Sequence, residues 1–169
     1  MIKNRLLILV ITVLCYGCDS QKGYADLDKL YEDFVYYLKD ANLENLKNYC
    51  YAITPDQTTV EYMKKNNFSF RGIPEGLEKN NVKPTYIGEK YYEYVLKFRE
   101  RLKSRKLLNN LKYVKREQNE EVLFNKELEI YATETFIILE SEGKEVRCKL
   151  GEMLRINMIW KSFTAPNLN

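Results

Sequence analysis

The chain has 169 residues, 27 Lys and Arg against 24 Asp and Glu, and no histidine. The missing imidazole excludes Ser-His-Asp and Cys-His catalysis and removes the usual zinc ligand. The near-balance of charge points to no nucleic-acid partner, and no phosphate-binding glycine loop or G-x-S-x-G elbow occurs.

The amino terminus opens with Lys3 and Arg5, followed by a nine-residue apolar run, Leu6 to Leu14. That is the length of a signal h-region; a spanning helix needs roughly 20 residues. Cys15-Tyr16-Gly17-Cys18 comes next, then a polar stretch from Asp19. A small residue before a cysteine, directly after an h-region, resembles the lipobox of bacterial lipoprotein precursors, although Cys15 stands where that family usually has Leu. The resemblance implies a signal over 1–17, acyl chains on Cys18, a tether over 18–23 and a place in the bacterial cell envelope, membrane-anchored. Loss of Lys3 and Arg5 leaves the mature chain near +1. Cys50 and Cys148 remain as a candidate disulfide, neither of them in a C-x-x-C pair. Closing a loop of about 100 residues contributes up to roughly 4.7 kcal/mol in the chain-entropy model; the alternative is two separate buried thiols.

One domain is expected over 24–165, with a short tail over 166–169. Leu27, Leu30, Tyr31, Phe34, Tyr37 and Leu38 give a helical face between Tyr24 and Lys39. Asn42 caps a second helix, Leu43 to Tyr51, with Leu43 and Leu46 inward. Thr54-Pro55-Asp56-Gln57 reads as a capping box with Pro at the first helical position of a helix running to Lys65. Gly72, Pro74, Gly76 and Pro84 punctuate an irregular segment from Asn66. A long helix is expected from Thr85 to Leu108, with Ile87, Tyr91, Tyr94, Val95, Phe98 and Leu102 buried and Lys90, Lys97, Arg101 and Arg105 outward. Strands follow: Leu111 to Glu117, one long strand from Glu127 to Glu140, a hairpin with a bulge around Gly143, and a last hairpin turning near Asn157-Met158.

Charge is unevenly spread. Nine basic residues lie between Lys97 and Arg116 against Glu100 alone, whereas the first helix carries Asp26, Asp28, Glu32, Asp33 and Asp40. Lys97, Arg101 and Arg105 are therefore candidates for a surface that meets an anionic partner, whether lipid head groups or an acidic protein. The plainer reading is a solvated face that offsets the acidic elements.

Helices first, then an antiparallel meander ending in Trp160-Lys161-Ser162-Phe163, is an α+β order. The ending from Gly143 to Phe163 resembles the last strands of the nuclear-transport-factor-2-like (cystatin-like cone) superfamily. The resemblance implies N-terminal helices packed on one face of a curved meander formed by the C-terminal third. It also implies that an enzyme of this kind would pair a carboxylate base with tyrosine donors; the candidates are Tyr91, Tyr94 and Tyr131 near Glu129 or Glu134. No catalytic residue, cofactor or metal site is assigned from the sequence. The leading expectation is a non-catalytic binding module, anchored through its acyl chains, for a protein or a small apolar ligand. A small cone-fold enzyme and a membrane-held immunity or inhibitor protein are the alternatives.

Overall fold

Helix boundaries follow from side chains that satisfy the backbone at each end. A computed structural model describes residues 23–117 and 121–168. The Asp26 carboxylate accepts from the N–H groups of Asp28 (2.7 Å) and Lys29 (3.3 Å), so α1 runs Leu27–Lys39. It starts at Leu27, the first residue of the apolar pattern, and not at Tyr24, which forms a β-bridge with Trp160. Asn42 caps α2, Leu43–Ala52, as expected. The next helix differs: Asp56, not Thr54, caps α3, Gln57–Lys65, accepting from the Thr59 N–H at 2.8 Å. The Thr54 hydroxyl instead donates back to the Cys50 carbonyl at 2.9 Å. The punctuated segment holds one short helix, α4, Glu75–Lys79.

Helix α5 spans Thr85–Ser104 and stops short of Leu108. Lys106 takes a left-handed conformation (φ 60°), the Leu107 N–H reaches the Leu102 carbonyl at 2.8 Å and the Lys106 N–H reaches that of Lys103 at 3.0 Å. This is a Schellman ending with Leu107 folded back on Leu102, so apolar residues past the stop are buried without being helical. Gly88 lets α5 lie against α2: a Cβ there would stand 2.3 Å from the Tyr51 ring.

Helices occupy the N-terminal half and two antiparallel sheets the C-terminal part, an α+β arrangement. The strands are β1 Lys112–Arg116, β2 Val122–Asn125, β3 Ile130–Thr133, β4 Ile137–Ser141, β5 Lys144–Cys148, β6 Met153–Ile156 and β7 Ile159–Ser162. One sheet has the order β1-β4-β5 and the other β2-β3-β6-β7. The run expected as a single strand, Glu127 to Glu140, is thus two: β3 pairs with β2 and β6, while β4 pairs with β1 and β5. The next run breaks at the same level, between β5 and β6, where Gly151 at φ +97° has no room for a Cβ beside Ser162 and Thr164. Strand β2 has no counterpart in the sequence reading.

The two hairpin turns expected from the sequence are each two residues long. Glu142 and Gly143 (φ 53° and 75°) join Ser141 to Lys144, replacing the bulged turn expected there; Asn157 and Met158 (φ 50° and 65°) join Ile156 to Ile159.

The main core lies between α1, α2, α5 and the sheets, with Phe34 stacked on Phe98 and Trp160 buried. Alternation along β6 sends Met153 into that core and Leu154 and Ile156 to the opposite face. There Met63 of α3, Phe68 and Phe163 form a second, smaller core, so the four-stranded sheet is covered on both faces rather than one. The chain end belongs to the fold too: Asn167 bridges Lys149 in both directions at 2.8 Å, and Leu168 is buried.

Candidate functional site

The basic stretch divides by what each side chain touches. Arg99 folds inward and donates to the carbonyls of Leu38 (2.8 Å) and Asp40 (3.0 Å), closing the C-terminal end of α1. Arg116 lies 3.4 Å from Asp28, which also accepts from the Tyr113 hydroxyl at 2.7 Å. Glu100 stands 3.3 Å from Arg99 and 4.0 Å from Lys103. Two cations therefore compensate the one acid of the stretch. Lys97, Arg101 and Arg105 form no ion pair with a carboxylate among the described residues, and all three are exposed.

Lys97 and Arg101 border an open trough of about 950 Å³. Its floor comes from three elements: Leu43 at the start of α2, Tyr94 and Leu96 on α5, and Pro166 and Leu168 at the chain end. Arg101 holds that end by donating to the Leu168 carbonyl. Tyr94, expected in the buried stripe, is 48% exposed, and Leu43, expected inward, is 40% exposed. Residues 91, 95, 98 and 102 already complete the inward face of α5, leaving position 94 about 60° round the helix on its flank. The chain end supplies the trough's other wall through contacts far apart in sequence, which no local pattern reveals.

The residues proposed for an enzyme pocket are placed apart. Tyr91 is buried and donates to the Leu150 carbonyl at 2.8 Å, with burial holding its hydroxyl well above its ordinary pKa. Tyr94 faces the trough. Tyr131 is half-buried, with the Arg155 guanidinium 4.3 Å over its ring. Glu134 pairs with Lys149 and Glu129 sits exposed in a turn. Cys50 and Cys148 are free, buried thiols of the same core; burial raises both, Cys148 to about 12. Cys18, with the signal over 1–17, lies outside the described residues. Among the described residues no helix is long and apolar enough to cross a membrane, and no group of His, Cys, Asp and Glu is placed to hold a metal ion.

Comparison with protein-family models, curated proteins and solved structures finds no match. An apolar floor beside uncompensated cations can bind an amphiphilic partner.

Proposed function

We propose that the protein is a lipid-anchored component of a bacterial cell envelope, held through acyl chains on Cys18, whose globular domain is a non-catalytic binding module. The observation that carries the binding role is the trough between α2, α5 and the chain end: an apolar surface, open to solvent, that nothing in the described fold fills. Its floor suits a protein segment or a small apolar ligand, and Lys97 and Arg101 favour one that carries negative charge. The support for anchoring is the order of n-region, apolar run and Cys18.

We also propose that the sheets have the curvature of a cone-like fold. Successive runs switch sheets at one level, with Arg116 opposite Ile137, Ile137 opposite Cys148 and Thr133 opposite Met153. We read the two sheets as one sharply bent meander wrapped on the helices. A fold of this kind does not by itself assign an activity.

The test has two parts. Intact mass of the membrane-extracted protein is expected to begin at Cys18 with added acyl mass; a chain that still carries Met1 and no acyl mass refutes the anchor. A photo-crosslinking residue at position 94 is expected to trap a ligand in cells that one at Tyr36, an exposed site on α1, does not. Equal yields at both positions refute the trough as the binding site.

A further inference from the structure

The trough's cations are spaced like a helix, not like a point. Lys97 and Arg101 lie one turn apart on α5, and Arg105, the residue that caps its C-terminal end, continues the four-residue spacing to a row of about 12 Å. Lys97 and Arg101 line the trough and Arg105 lies one turn beyond them; the acid among the lining residues, Glu100, is occupied by Arg99 and Lys103. A single-headed amphiphile, such as a fatty acid, would engage one cation of the row and leave the others idle. An enclosed pocket would favour such a ligand, but this trough is open to solvent among the described residues.

Resting on the reading of this trough as the binding site, we propose that its occupant is an amphipathic helix of a partner protein, laid in antiparallel or parallel to α5. It carries an apolar stripe flanked by acidic residues at intervals of one turn. The apolar stripe covers Tyr94, Leu43 and Leu96. The carboxylates meet Lys97, Arg101 and Arg105, fixing register along the groove. The recognition mode is a helix in a groove, with apolar anchors for affinity and a charge row for register and approach rate.

The probe is a fluorescein-labelled amphipathic peptide with Leu at i, i+3, i+4 and i+7 and Glu at three successive one-turn positions beside the stripe. It is compared with the same peptide carrying Gln and with one carrying Lys. Binding is measured by anisotropy on the full chain in nanodiscs of neutral lipid, alongside a fluorescent long-chain fatty acid. The expected result is that the Glu peptide binds, that Gln weakens it about tenfold or more, and that rising salt weakens it. Lys97→Glu with Arg105→Glu is expected to abolish binding of the Glu peptide and to transfer preference to the Lys peptide. Arg101 is left intact because it also holds Leu168, and thermal melts of the variant confirm folding. Equal binding of the Glu and Gln peptides, or charge reversal without exchange of preference, overturns the proposal. If only the fatty acid binds, and Tyr94→Ser removes it, the trough is the site and the helical occupant is wrong. If neither probe binds, the reading of the trough falls with it.

Discussion

Lys161 lies on β7 with its side chain wholly buried, under the start of α3. Its Nζ donates to the Ala52 carbonyl at 2.8 Å and to Asp56 Oδ2 at 3.0 Å, joining the end of α2 to the cap of α3. Asp56 thus has two roles, ion partner and helix cap, and substitutions separate them. Asp56→Asn keeps a capping oxygen, since Asn caps as well as Asp, but removes the negative charge beside a buried cation. Breaking a buried pair from one side costs about 3–5 kcal/mol; with the Asp56 side chain 31% exposed, we expect the lower end, about 3 kcal/mol. Asp56→Ala should cost about 1 kcal/mol more, the value of the lost cap. Lys161→Met removes the cation with its desolvation cost and should be milder than Asp56→Asn, and the double variant Asp56→Asn/Lys161→Met should cost less than the two singles together.

The assay is urea unfolding of each variant at constant m. Burial opposes ionisation of Asp56, but the Lys161 charge and the hydrogen bonds from Thr59 outweigh it and hold the carboxyl below its usual range. The unfolded chain therefore binds the proton first. This contribution is present above the ordinary Asp pKa and is lost as pH falls through the folded one, so Asp56→Asn should flatten the acid limb. Burial likewise lowers Lys161 below its usual range, so its share of stability rises with pH through the alkaline window between its folded and unfolded values. An Asp56→Asn protein within about 0.5 kcal/mol of the parent, or a Lys161→Met protein less stable than Asp56→Asn, would refute the account.

Three further outcomes are expected. Met158→Gly should raise stability by about 0.5–1 kcal/mol in thermal melts, because Met158 holds a left-handed turn position (φ 65°) with its side chain 68% exposed, and Asn-Gly suits a two-residue hairpin. Gly88→Ala should cost about 1–3 kcal/mol, more than the helix propensity of Ala returns, since its methyl meets the Tyr51 ring; Gly88→Ala with Tyr51→Ala should recover part of the loss. Cys50 and Cys148, buried and raised in pKa, should resist a thiol reagent at pH 8 and react together only in denaturant; rapid labelling of either in the native protein would contradict their placement.

Local chemistry was readable from the chain wherever one segment settled its own structure. The Asn42 cap, the end of α3 at Lys65, the start of α5 and the turn at Asn157-Met158 follow from short-range patterns, as does the α+β order of elements. Tertiary contacts decided the rest. Tyr24, the expected start of the first helix, pairs with Trp160 instead, and the cap of α3 passed from Thr54 to Asp56, which a lysine 105 residues away also engages. The strand from Glu127 to Glu140 split because its two halves found different partners, and periodicity of two cannot register a change of neighbour. The candidate site was half legible: Lys97, Arg101 and Arg105 stood out as a basic face, since charge is a property of single residues. The floor beneath them was not, because it is assembled from α2, α5 and the chain end, and apolar side chains reveal which surface they share only once long-range packing has set their neighbours.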